Sequence, residues 1–316
     1  MNPLIFKPIY KERVWGGQKL ASLLGRTIPQ NIPIGESWEI VDRVADQSVV
    51  ANGPHQGKTL NELLNSHGKQ IMGASYKANT PFPILVKWLD CKEALSVQVH
   101  PPKKIASLLK GQPKTESWYI LESEPQAKLY LGLVPHTNLN DFTEAIAQRR
   151  LEPLLAHTET KAGDSYLIES GTLHAIGGGN LILEIQQNSD TTFRAYDWNR
   201  LGLDGKPRKL HLEETIKSMN INYLNKNPAR IQGPKSTLAD CASFRITGYE
   251  LTPDCEPLVL PAQESPRLIH VVTQGKVTDL QNEQSIQFGD TILQPYATEM
   301  RLKASQVATV LITDRF

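Results

Sequence analysis

The residues most capable of chemistry in this 316-residue chain come singly or in pairs, far apart in the sequence. Ser96-Val97-Gln98-Val99-His100-Pro101 alternates polar and apolar side chains. In an extended chain Ser96, Gln98 and His100 therefore share one face and the two valines share the other. Lys114-Thr115-Glu116 stands at the start of the next strand-like run, and Thr172-Leu173-His174 at the start of another. Two imidazoles and one carboxylate, with the Gln98 amide oxygen as a fourth donor, suit a borderline divalent cation such as Zn2+ with a position left for water or substrate. A closed structural site would more typically use thiolates, but Cys91, Cys241 and Cys255 are widely spaced and form neither a zinc knuckle nor a disulfide framework. Taken alone, His100 reads as an ordinary solvated strand-end histidine. The metal reading needs a fold that turns three distant strands toward one interior. There, Gln98 and His100 without partners would each cost roughly 1–3 kcal/mol, and a cation removes that cost.

The elements around these residues are mostly strands. PILVKWL (83–89), SVQV (96–99), SWYIL (117–121), AKLYLGL (127–133), SYLIE (165–169), NLILEIQ (180–186) and TTFRAYDW (191–198) are short β-like runs separated by Gly, Pro, Asn and Asp. That density predicts a mainly β chain, a sandwich or barrel. Helices decorate it. Thr59 to Glu62 is a capping box for a helix expected to stop near Gly68. Pro101 and Pro102 open a turn through Ile105, Leu108 and Leu109; an amphipathic stretch runs from Asn140 through Phe142, Ile146, Leu151 and Leu155; another runs from His211 through Ile216 and Met219.

Composition narrows the partners. The chain carries 34 basic and 33 acidic residues, a net charge of +1, with no basic block to follow a phosphate backbone, so nucleic acid is not expected. No apolar run reaches the roughly 18 residues of a membrane helix, and the N-terminus does not read as a signal peptide. A soluble, cytoplasmic protein without a membrane partner is the expectation. The oligomeric state is not legible.

A faint internal repeat bears on architecture. Gly163-Asp164 through Gly171 to His174 lies over Gly289-Asp290 through Ala297 to Met300 without a gap. In each copy Gly-Asp is read as a turn, a strand follows, and the residue ten positions after the Asp opens the next strand. The first copy resembles the second motif of the cupins, Gly-x5-Pro-x-Gly-x2-His, with Glu169 in place of Pro; the second keeps Pro295 but has lost the Gly and the His. The likeness implies two cupin-like (jelly-roll) β-barrels with a few decorating helices, the second barrel lacking the metal site. The expected division is a catalytic domain over 1–232, with N-terminal strands and helical insertions, and a degenerate β domain over 233–316.

The resemblance sharpens in PIYKERVWGG, IGESWEI (34–40), GKTLNELL (57–64), PFPILVKWLD (81–90), LSVQVHP (95–101), KTESWYIL (114–121) and the run from Ile168 to Arg200. Over nearly its full length the chain resembles the type I mannose-6-phosphate isomerases (phosphomannose isomerases) in their short bacterial form. That likeness implies one zinc per chain on His100, Glu116 and His174, with Gln98 as a further ligand. It implies catalytic roles for Arg194 and Lys114, substrate or phosphate contacts for Ser96 and Lys87, and a small sugar phosphate as partner. One departure is Lys114-Thr115-Glu116 where longer members have Lys-Pro-Glu together with an extra helical domain.

Each position also has a plainer reading. Lys87 can be an edge-strand charge, Lys114 a surface lysine, and Arg194 a sheet-face cation among Thr192, Tyr196 and Trp198. Gly177-Gly178-Gly179 lacks the following helix of a phosphate loop and reads as a turn, while Trp38 and Trp118 read as packing residues. For the general base, Lys114, a metal-bound water and Glu184 stay open. A non-catalytic sugar-phosphate-binding cupin is the alternative function; an iron cupin would want a His-x-His pair where Gln98 now stands.

Overall fold

Each β-like run becomes a strand in the computed structural model, which describes residues 1–316. They are Ile84–Cys91, Val97–Val99, Glu116–Ser123, Lys128–Leu133, Ser165–Ile168, Asn180–Gln187 and Phe193–Tyr196. The protein is mainly β with few helices. None of these helices is long and apolar enough to cross a membrane.

The capping box forms as read: Thr59 accepts from the Glu62 backbone N–H and the Glu62 side chain accepts from the Thr59 backbone N–H. The stretch it opens, Leu60–Met72, breaks helical geometry at His67, beside the expected stop at Gly68, and a second short helical segment carries it on to Gly73. Gly68 persists inside it because the ring of Tyr76 occupies the space a Cβ would need. The stretch from Asn140 is a shorter helix than its periodicity predicts, Leu139–Ala147, because Arg149 takes a positive φ of 56° and Leu155 opens the strand Leu155–Glu159. The turn after Pro102 is the single helical turn Lys103–Ala106, and the last stretch is the helix Leu212–Ser218.

The chain divides into two compact units, each discontinuous in sequence. The first comprises Met1–Ile9, Trp38–Lys87 and Ala229–Phe316. Its larger sheet has the order Lys235–Asp240, Arg245–Leu251, Ala308–Asp314, Arg267–Val271, Thr291–Gln294, Leu4–Lys7, Val49–Val50. Its smaller sheet has the order Leu258–Leu260, Met300–Ala304, Val277–Asp279, Gln284–Ile286. Ile269, Ile292 and Ile312 from the larger sheet and Leu260, Val277 and Met300 from the smaller share one buried cluster.

The second unit comprises Tyr10–Ser37 and Trp88–Pro228. One sheet is centred on Ser165–Ile168, Glu116–Ser123 and Asn180–Gln187 and continues through the parts of Ile84–Cys91, Ile9–Gly17 and Ile34–Ile40 that fall within the unit. The other has the order Phe193–Tyr196, Val97–Val99, His174–Ile176, Lys128–Leu133, Leu155–Glu159. Trp15, Trp118, Ile120 and Ile182 from the first sheet meet Leu129, Leu131 and Ile176 from the second in a buried core. Val97 and Val99 belong to a different cluster, with Phe142 and Ile146 of the helix Leu139–Ala147. The valine face of SVQVHP is therefore committed to the helices, and the alternation sends Gln98 and His100 the other way.

The internal repeat is real at the level of hydrogen bonds. Gly163 and Gly289 both take φ of 86°. Asp164 accepts the Lys161 backbone N–H at 3.2 Å and Asp290 accepts that of Gln287 at 2.9 Å. His174 opens the strand His174–Ile176 and Met300 opens Met300–Ala304, the placement expected for the tenth residue after each Asp.

Candidate metal centre

Antiparallel register brings the first ligand candidates together. On the five-stranded sheet Gln98 is the cross-strand partner of His174 on one side and of Arg194 on the other. Three side chains remote in sequence thus stand in one row, and cross-strand neighbours on one face lie within reach. Glu116, first residue of its strand in the facing sheet, completes the group. His100 Nε2 lies 3.4 Å from Glu116 Oε2, and His174 Nε2 lies 3.4 Å from Glu116 Oε1. The ligand atoms offered by His100, Glu116 and His174 all lie within 4.8 Å of one another, and all three residues are buried.

The two rings are oriented by backbone. His100 Nδ1 donates to the Thr191 carbonyl at 2.8 Å and His174 Nδ1 to the Thr172 carbonyl at 2.9 Å. With each Nδ1 bearing the proton, each Nε2 presents a lone pair to the centre, the arrangement that outer partners impose on metal-binding imidazoles. Burial is the largest influence on both rings and pushes His174 down to about 3, with the Glu116 carboxylate opposing it; His100 is lowered too, by burial and then by Lys114. Neutral imidazole is the form a metal requires. Neither carboxylate oxygen of Glu116 has a hydrogen bond of good geometry. A buried carboxylate so placed is expensive unless paired, and what faces it is two lone-pair nitrogens and one ammonium. The donor set fits a divalent cation.

Lys114 supplies that ammonium. Its Nζ lies 2.6 Å from Glu116 Oε2, 3.3 Å from His100 Nε2 and 3.8 Å from Glu184 Oε1. Burial alone would lower the Lys114 pKa, but Glu116 and then Glu184 outweigh it and the group is held charged. Although burial on its own raises the Glu116 pKa, the Lys114 ammonium and the two imidazoles hold the carboxyl well below its usual range. The surface-lysine reading is overturned: Lys114 is 4% exposed.

Ser96 is buried on the same face, its hydroxyl 3.5 Å from Gln98 Oε1, while the Gln98 amide nitrogen lies 3.3 Å from His174 Nε2. Arg194 is half-buried, and its Nη1 donates to the Lys209 carbonyl at 2.9 Å. Burial, and then Arg208, lower its pKa. Lys87 belongs to the first unit, buried with its ammonium 5.1 Å from the Trp38 ring centroid. The edge-strand reading fails for it, because Ile84–Cys91 is an interior strand of its sheet.

Sequence reasoning missed the Thr172 and Thr191 carbonyls, which carry no side-chain signal, and two contacts of Trp118, which is otherwise the buried packing residue expected. Trp118 donates its indole N–H to Glu184 Oε2 at 3.0 Å and meets the His174 ring edge-on at 5.4 Å. A signal for it did exist, since Trp118 lies two residues after Glu116 and so on the same strand face.

Comparison with known proteins shows the family. The family model described as phosphomannose isomerase type I, catalytic domain, matches residues 4–159. The mannose-6-phosphate isomerase ManA of Bacillus subtilis is 37% identical over 304 residues, covering 93% of each chain. The mannose-6-phosphate isomerase of Streptococcus mutans is 34% identical over 301 residues, covering 93% of this chain and 92% of that one. The crystal structure of the mannose 6-phosphate isomerase from Bacillus subtilis superposes with a TM-score of 0.88 at 29% identity, covering all of both chains.

Proposed function

We infer the chemistry from one premise: this chain belongs to the type I phosphomannose isomerase family and is a mannose-6-phosphate isomerase. The reaction interconverts mannose 6-phosphate and fructose 6-phosphate. The observation that carries the site assignment is the convergence of His100, Glu116 and His174, with both imidazole Nε2 lone pairs turned inward.

We propose that these three residues hold one zinc ion per chain, with Gln98 as a fourth ligand through its amide oxygen once the amide is turned over from its contact with His174. A bound zinc supplies polarisation of a sugar oxygen. The remaining work falls to side chains. Isomerisation removes the C2 proton of the aldose, passes through a cis-enediol(ate) and returns a proton to C1. Lys114 is held as an ammonium by two carboxylates and so serves as a charge and proton donor toward the sugar oxygens, not as the base. Glu184, directed at Lys114, is then the side chain left to carry the proton between C2 and C1. Arg194 shares the row of Gln98 and His174 and holds the developing negative charge of the enediolate without titrating. Since one guanidinium cannot serve both ends of the substrate, the phosphate is assigned to Ser96, buried on the face of Gln98; for Lys87 a phosphate contact is what the family likeness implies.

The proposed division of labour places catalysis within 1–232 and leaves 233–316 as a degenerate cupin-like β domain, the chain as a whole forming two jelly-roll barrels. The matching Gly163 and Gly289 turns support it, as does Met300 standing where the first copy has His174.

A coupled assay with mannose 6-phosphate on the purified protein, after chelation and again with zinc restored, tests this reading. Turnover should vanish on chelation and return with zinc. Full activity in rigorously chelated protein would remove zinc from the mechanism, and no activity in the zinc-loaded protein would favour a non-catalytic sugar-phosphate-binding cupin.

A further inference from the structure

We propose that Trp118 is a positioning residue for the isomerisation, aiming the Glu184 carboxylate at Lys114 and bracing the ring of His174. The proposal rests on the roles given to Glu184 and Lys114 above. Trp118 and Glu184 are direct cross-strand partners in the antiparallel pair formed by Glu116–Ser123 and Asn180–Gln187. Both side chains are buried, and the indole N–H reaches one carboxylate oxygen, Oε2, at 3.0 Å. The other oxygen, Oε1, is the one facing Lys114 Nζ at 3.8 Å.

That split between oxygens gives the contact its consequence. The terminal torsion of a glutamate side chain is broad and roughly two-fold, so its carboxylate is oriented by the groups that bind it. A donor fixed on Oε2 contributes to that orientation and favours Oε1 toward Lys114. Indole suits the task because it only donates and does not titrate, so it never competes for the proton Glu184 carries. The ring itself is immobilised among Trp15, Leu89, Tyr166 and Ile168. Its contact with His174 has centroids 5.4 Å apart and planes at 74°, an edge-to-face arrangement that limits tilting of that imidazole. One rigid side chain therefore registers a metal-facing ring against the proton-carrying carboxylate. The metal ligands have independent supports in the Thr191 and Thr172 carbonyls, so losing the indole N–H should spare the metal.

The test compares Trp118→Phe, Glu184→Gln and the double variant, because phenylalanine keeps an aromatic ring in the core while removing the donor together with part of the ring volume. Expected are one zinc per chain in every variant, KM for mannose 6-phosphate within about two-fold of the wild type, and kcat of Trp118→Phe lowered by about ten-fold or more. In the Glu184→Gln background, Trp118→Phe should lower kcat by less than about two-fold further, since both changes break the same link. A structural role alone would give multiplying losses. A readout independent of turnover is the Trp118 indole N–H resonance in 15N-labelled protein, assigned by its disappearance in Trp118→Phe; it should move upfield and exchange faster in Glu184→Leu. Loss of zinc from Trp118→Phe, an unchanged kcat, multiplying losses, or an indole proton indifferent to Glu184→Leu would each overturn the proposal. Absence of turnover in the zinc-loaded wild type is a different failure, visible before any variant is compared, and it would overturn the functional reading and the positioning role together.

Discussion

Lys114 Nζ lies 2.6 Å from Glu116 Oε2, so a fixed positive charge sits inside the shell of atoms offered to the cation. The Glu116 carboxylate itself, and then that of Glu184 at 3.8 Å, make that tolerable. A like charge beside a metal weakens metal binding, so Lys114 is not there to hold the ion. Replacing it with methionine, which keeps the stem and removes the charge, should leave zinc affinity equal or tighter in competition with a chelator. At the same time kcat should fall by a factor on the order of 10² or more, the usual scale for loss of a positioned proton-transfer group. Weaker zinc binding in Lys114→Met would mean the ammonium supports the ligands after all.

His174 and Arg194 flank Gln98 on opposite sides and should separate cleanly by variant. His174→Ala deletes an inward lone pair and should lose both zinc and activity. Arg194→Ala should keep zinc, as measured by metal analysis, and lose kcat by about 10²-fold or more, as expected for removal of a charge that acts in the transition state. Loss of metal in both variants would refute this division of labour.

The site was legible in the sequence to the extent that it depends on local pattern. The period of two in SVQVHP assigned Val97 and Val99 to one face and Gln98 and His100 to the other, and the helices now pack on the valines. The repeat likewise placed His174 and Met300 at strand starts. What stayed hidden depends on which strands become neighbours. Trp118 opposite Glu184 follows from a register between strands whose pairing no local signal fixes. The Thr172 and Thr191 carbonyls that orient the imidazoles belong to backbone, which carries no residue-type signature. The helix opened at Thr59 shows both sides: its geometry breaks at His67, beside the Gly68 that signals a stop, but a further segment to Met72 follows that no local signal announces.

The capping box at Thr59 and Glu62 is a local feature that can be tested by itself. Thr59 Oγ1 accepts the Glu62 N–H at 3.2 Å, and Glu62 Oε2 accepts the Thr59 N–H at 2.7 Å. Thr59→Ala removes one of the two reciprocal bonds and should destabilise the protein by about 1 kcal/mol, a typical cost for loss of an N-cap. Denaturant unfolding should show a lower midpoint with an unchanged slope, and kcat should not change. A stability loss of several kcal/mol, or a change in kcat, would mean that Thr59 does more than cap.

His270 makes the stability of the protein depend on pH away from the metal ligands. Its ring is fully buried, with Nδ1 3.0 Å from Thr291 Oγ1 and Nε2 3.0 Å from Thr313 Oγ1, and burial pushes its pKa down to about 3. In the unfolded chain the same imidazole titrates near about 6.5. Between these two values the unfolded state binds one proton more than the folded state, so stability must fall as the pH falls through that window and level off below it. The slope is about 1.4 kcal/mol per pH unit for each such histidine. Glutamine can still hydrogen-bond to one of the threonines but does not titrate, so His270→Gln should be less stable at neutral pH yet lose stability more slowly on acidification. Equilibrium unfolding of chelated wild type and variant between pH 4.5 and 7 measures both slopes. Parallel curves for the two proteins would show that His270 is not a neutral buried imidazole.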